Sequence, residues 1–195
     1  MPTFFKGKLN TFKMLSKFQT YIRHYKNVHQ KLNKMNNSIN HLQSIFNLNT
    51  RLFNNTLAGV TEELSTERIS DHSNSFKWVA THTVWARYNM LMFLGKPTAN
   101  PYPGLFESFK AFDIADKYPS LEEIKTEWQK GSELLKAALA SASEEHLAAD
   151  SPLKSPIGDN TMGGTLAFLA QHESYDIGQL GFLKKYLTKE AMSYS

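Results

Sequence analysis

Leu166, Leu169, His172, Asp176, Leu180, Leu183 and Leu187 recur at steps of three and four near the C-terminus. That spacing draws one face of an α-helix and no face of a strand. A helix patterned in this way must bury the stripe against another packed element. The stripe also contains an anomaly. An imidazole and a carboxylate, one turn apart, interrupt a leucine seam, and both are costly in a core unless something pairs with them. A divalent metal is one partner, and an i, i+4 pair suits it. The other reading is a metal-free His–Asp pair, since H-x-x-x-D recurs often by chance.

Three more segments carry the helical period. Leu42, Ile45, Phe46, Asn49, Leu52, Phe53 and Leu57 predict a helix over about 37–60. Trp78, His82, Trp85, Asn89 and Met92 predict a second over about 73–94, with His82 on its apolar, core-facing side and Gly95 and Pro97 as the stop. Ser120-Leu121-Glu122-Glu123 is a capping box that opens a third helix, running to about 142. The fourth spans about 161–187. Ser143–His146 fits one further turn, with His146 solvated or locally paired. Residues 61–71 read as a polar connection with a cap at Ser70-Asp71. Residues 96–119, with four Pro and one Gly, read as a long crossover that walls a pocket and holds one short helix. The expected fold is all-α: a four-helix bundle with a long crossover loop and a basic N-terminal extension.

In such bundles ligand sites form from side chains on facing helices. His82 joins His172 and Asp176 if helices two and four are neighbours in the right register. Two imidazoles and a carboxylate leave coordination positions open, as in catalytic metal sites. The set suits Zn, Ni, Mn or Fe, and residue types do not choose among them. Glu173, Gln179 and Asn89 are candidates to orient the ligands, with Tyr175 and Arg87 beside them. For Arg87 and Tyr88, interhelical packing and a salt bridge are the simpler reading. Gly178 and Gly181 suggest close helix approach, and Trp78, Trp85 and Trp128 suggest core.

Charge is divided along the chain. Its 195 residues carry a net +4, yet residues 1–61 contain nine Lys/Arg and no Asp or Glu. The remaining residues hold thirteen Lys/Arg against eighteen Asp/Glu, a balance of −5. An acidic body argues against nucleic acid as its partner. Cys is absent, which removes disulfides and thiolate chemistry by the chain itself. With no secretory signal and no spanning segment, the expected compartment is the cytoplasm. Residues 1–34 form a basic N-terminal extension ahead of a domain at 35–195. Phe5, Leu9, Phe12, Phe18, Ile22, Tyr25 and Leu32 fall on a rough helical stripe between lysines. Three readings stay open for this extension: a basic amphipathic helix for a membrane surface or an acidic partner, a poorly fitting targeting peptide, and a flexible or non-native extension ahead of Met35.

The fragments Lys77-Trp78-Val79-Ala80-Thr81-His82, Arg87-Tyr88-Asn89 and Leu94-Gly95 stand in order ahead of Tyr118-Pro119-Ser120-Leu121-Glu122-Glu123-Ile124. With Gln171-His172-Glu173-Ser174-Tyr175 and Gly178-Gln179-Leu180-Gly181, they resemble the DinB/YfiT-like superfamily over roughly residues 36–193. The resemblance implies a dimeric four-helix bundle with a divalent metal held by three histidines. It also implies, for some members, S-transfer or isomerase activity dependent on a low-molecular-weight thiol. His82 and His172 match two of those histidines. Position 176 departs, holding Asp. The departure leaves three outcomes: an altered His–His–Asp site, a weak site needing an external ligand, or a bundle whose site is degenerate and non-catalytic. The expected partners are a second copy and a small-molecule substrate, with a membrane only through residues 1–34.

Overall fold

The computed structural model describes residues 4–113 and 116–195, with side chains described at Lys17, at 19–26 and from Ile39 onward except Phe109. Among them lie six α-helices and one 3-10 turn, and no strand: α1 Phe4–Leu57, α2 Glu62–Thr66, α3 Phe76–Phe93, the turn Glu107–Phe109, α4 Leu121–Ser141, α5 Glu144–Ala148 and α6 Met162–Thr188. The chain divides into two compact units, Met1–His41 and Leu42–Ser195. The second unit is the all-α bundle, in which the Leu42–Leu57 part of α1 joins α3, α4 and α6.

Helix α1 does not begin near residue 37. It runs from Phe4, because no proline falls between Pro2 and Pro97 to break it. Of the N-terminal stripe, Ile22 and Tyr25 are exposed, while Phe5, Leu9, Phe12, Phe18 and Leu32 lie outside the described side chains. In the bundle, Phe46, Asn49, Leu52, Phe53 and Leu57 are buried as their spacing predicts, whereas Ile45 is exposed. Phe53 stacks on the fully buried Trp128 of α4, with ring centroids 4.0 Å apart. The connection after α1 is more ordered than expected. Thr61 caps the short helix α2, and Glu62 on it takes hydrogen bonds from Lys77 of α3 and from the Leu121 amide at the start of α4. The cap of α3 is Ser75 and not Ser70-Asp71. Ser120 and Glu123 form the reciprocal capping box of α4. Thr161 caps α6.

Helix α3 departs most from its sequence reading. The stripe Trp78, His82, Trp85, Asn89 is only half-buried, and Met92 is 54% exposed. The rest of the helix is buried, Lys77 and Arg87 included. Because α3 packs against α2, α4 and α6, it is covered over most of its circumference, so an apolar stripe no longer marks the core side. The half-open stripe is the side left over.

A buried ion pair ties the helices together. Arg87 of α3 is fully buried and makes a two-pronged contact with Glu173 of α6, at 2.8 Å from Nε to Oε2 and 2.6 Å from Nη2 to Oε1. Its Nη1 donates to Thr50 of α1 and Ser132 of α4. Asn49 Nδ2 donates to Glu173 Oε1 at 3.1 Å, and the guanidinium lies 3.5 Å over the Trp128 ring. One cation thus binds all four long helices, with its charge neutralised and its donors engaged, the condition under which a buried charge is tolerable. At the other end, His146 of α5 pairs through Nε2 with the Phe93 carbonyl at 2.7 Å. This is a long-range contact and not the local pairing expected for it. It satisfies a carbonyl left free where α3 ends.

Candidate metal centre

The stripe that α3 leaves uncovered meets the His172–Asp176 turn of α6. His82 Nδ1 lies 2.9 Å from Asp176 Oδ2, and His172 Nε2 lies 3.7 Å from that same oxygen. One ligand atom from each of the three residues lies within 4.8 Å of the others. Asp176 is buried, His82 partly buried, and the His172 side chain 37% exposed, so the cluster opens outward on the His172 side. Asp176 divides its oxygens. Oδ1 accepts from Gln179 Nε2 at 3.2 Å, and Oδ2 faces the imidazoles.

This donor set is one that could hold a divalent ion. Ligand atoms about 2.0–2.1 Å from a tetrahedral zinc lie about 3.3 Å from one another. The two distances to Asp176 Oδ2, 2.9 and 3.7 Å, bracket that value. Asp176 Oδ2 therefore lies within 4 Å of both imidazoles.

Aromatic rings fix the His82 imidazole. Trp78, one turn earlier, stacks parallel to it with centroids 5.2 Å apart, and Trp85, one turn later, stacks at 5.9 Å. Phe106 from the crossover meets His82 edge-on at 5.2 Å and also contacts both tryptophans. Phe168, one turn before His172, flanks that ring at 6.2 Å. Trp78 and Trp85 therefore wall the cluster and are not core residues, whereas Trp128 is core. The crossover is held by Glu107, whose carboxylate takes hydrogen bonds from the Gly104 and Phe106 backbone and from the Trp85 side chain. The Gly104 amide and its companions hold the Glu107 carboxyl below the usual carboxylate range.

Of the candidate orienting residues, only Gln179 touches a member of the cluster. Glu173 points away, into the Arg87 and Asn49 network, because the next residue along a helix lies about 100° further round. Asn89 accepts from Asn100 Nδ2 at 3.0 Å and so braces the start of the crossover. Tyr175 is 61% exposed. The glycines also differ from expectation. A Cβ at Gly178 would meet nothing within 4 Å, and one at Gly181 would meet only ordinary contacts with Met192. Phe106, Glu107 and Phe168 were not singled out from sequence. The signal for the first two is their place in the apolar-aromatic patch from Leu105 to Phe112, within the proline-rich crossover expected to wall a pocket. Two cavities, of about 200 and 300 Å³, lie away from the cluster, beside Arg87 and Lys136 and beside Tyr102 and Glu127.

A helical bundle with two imidazoles and a carboxylate converging between facing helices defines a class of candidate metal-binding proteins. The family model of the DinB superfamily matches residues 45–180, which include His82, His172 and Asp176. The chain belongs to the DinB superfamily. No curated protein matches it.

Proposed function

We propose that this chain is a metal-dependent DinB-like enzyme, in which His82, His172 and Asp176 hold a divalent ion of the Zn, Ni, Mn or Fe type. The reading is carried by the convergence of three competent donor atoms from two helices within 4.8 Å. A bound metal supplies Lewis-acid polarisation and lowers the pKa of a thiol or water. The side chains do the rest. Asp176 offers one oxygen to the cluster while Gln179 holds the other, which fixes the carboxylate plane. Trp78, Trp85 and Phe106 keep the His82 ring in one orientation and exclude water from its faces. The exposed His172 side gives a small electrophilic substrate its approach. The reaction class is S-transfer from a low-molecular-weight thiol, or hydrolysis. The chain has no cysteine of its own, so the thiol is a co-substrate. A homodimer in the cytoplasm completes the reading. No helix among the described residues is long and apolar enough to cross a membrane.

One observation favours a second reading. His82 and Asp176 lie within hydrogen-bond distance of each other, as a non-catalytic bundle with a degenerate site would have them. Elemental analysis and calorimetric titration of the purified chain with each metal separate the two. About one ion per chain, lost in His82→Ala and His172→Ala, supports the enzyme reading. No uptake of any of the four metals in excess ends it.

A further inference from the structure

Residues Met1–His41 form a unit of their own, and the metal cluster makes no use of them. They contain eight Lys/Arg and no Asp or Glu. The helix covers this unit from Phe4 onward. Every described side chain from 19 to 26, and that of Lys17, is exposed, including Tyr21 at 66%, Ile22 at 38% and Tyr25 at 56%. At about 100° per residue, Tyr21, Ile22 and Tyr25 share an arc of roughly 100°. Lys17 and Lys26 lie about 40° beyond its two edges, and Arg23 lies on the opposite side.

We propose that residues 1–41 bind the surface of an anionic lipid bilayer. The arc of Tyr21, Ile22 and Tyr25 seats at the boundary between headgroups and acyl chains, where tyrosine places its ring in the apolar layer and its hydroxyl in water. Lys17 and Lys26, at the edges of the arc, extend their alkyl stems along the apolar layer and their ammonium groups to the lipid phosphates. Positive charge with no acidic residue among it complements a leaflet of net negative charge. A nucleic-acid duplex would use the charge alone and leave the arc of Tyr21, Ile22 and Tyr25 in water. A second copy of the same helix would bring like charges together. The bilayer is the occupant that uses both the charge and the arc.

The test is co-sedimentation of the full chain with phosphatidylcholine vesicles, with and without phosphatidylserine. Binding is expected only to the phosphatidylserine vesicles, and it should weaken as salt rises. Lys17→Gln and Lys26→Gln together should weaken it about twenty-five-fold, each charge contributing roughly fivefold. Tyr21→Gln, Ile22→Gln and Tyr25→Gln together leave the charge unchanged and should weaken it at least about tenfold, since the apolar area is lost. Metal uptake and the far-ultraviolet helix signal, measured on each variant, should stay at the level of the unaltered chain. Failure to sediment with phosphatidylserine vesicles overturns the proposal. So does equal binding to neutral vesicles, or full binding by the Tyr21/Ile22/Tyr25 variant. Tight binding to duplex DNA without binding to vesicles assigns the segment to nucleic acid instead.

Discussion

His82 Nδ1 of α3 and Asp176 Oδ2 of α6 meet at 2.9 Å although 94 positions separate them in the chain. The two helices are thus registered at the polar residues that interrupt their apolar patterns. Asp176→Ala should lower metal affinity by more than about a hundredfold, above the range for loss of a supporting residue alone. Asp176→His offers a third imidazole at the same turn and should take up metal at least as tightly as the unaltered chain. Competition with a chelating dye measures both, and equal affinity in Asp176→Ala would remove the carboxylate from the ligand set.

Gln179 acts only through Asp176. Gln179→Ala frees Oδ1 and should weaken metal binding about tenfold while leaving the denaturation midpoint nearly unchanged. A large loss of stability with unaltered affinity would show that the amide serves packing and not the ligand.

The Arg87–Glu173 pair should dominate the stability of the bundle. Glu173→Ala leaves a guanidinium buried without its counter-charge and should cost about 3–5 kcal/mol in urea unfolding. Replacing both partners by apolar residues of similar size should cost much less than either single change. Additive losses in that double variant would contradict a mutual pairing.

Two glycines of α6 should respond in opposite directions to alanine. At Gly164 a Cβ would lie 2.4 Å from the Asp159 backbone oxygen, so Gly164→Ala should destabilise by about 1–3 kcal/mol. At Gly178 the space is open, and Gly178→Ala should stabilise by about 0.5–1 kcal/mol through helix propensity. Thermal midpoints of the two variants, taken side by side, check both signs.

Acid should weaken the fold through its helix starts. The Ser120 amide and hydroxyl hold the Glu123 carboxyl below its ordinary value, and those of Thr161 do the same for Asp159. Burial pushes the Glu62 carboxyl up, but the hydrogen bonds from Lys77 and the Leu121 amide, with the Lys77 charge, bring it below. For each group the folded value lies under the unfolded one. The stability they add is therefore complete above the unfolded values of 4.5 for Glu and 3.8 for Asp, and is lost as pH falls through the folded values. Urea midpoints should be flat with respect to these groups above about pH 5 and fall below it. In Glu123→Gln the fall should be shallower.

Periodicity and capping made the bundle readable. Leu121, Ile124, Trp128 and Leu135 sit in the core where their spacing puts them, and Ser120 caps where its motif says. The approach of His82 to the α6 pair depends on how far α3 slides along α6, and no local pattern encodes that. The tryptophan stripe misled because a helix apolar on nearly every side offers no contrast from which to read a face. Arg87 reads from sequence as an interhelical packing and salt-bridge residue and Glu173 as a candidate to orient the ligands; only the fold pairs the two with each other. Phe106 and Glu107 lie in a loop without a period, so their return to the cluster is a tertiary fact alone.

That return has a kinetic consequence. Glu107 fastens its own turn through Gly104 and Phe106 and moors it to Trp85, so the lid over His82 is in place before any guest arrives. A small molecule entering beside His172 has no loop to organise, and its capture should follow a single exponential whose rate rises linearly with concentration and does not level off.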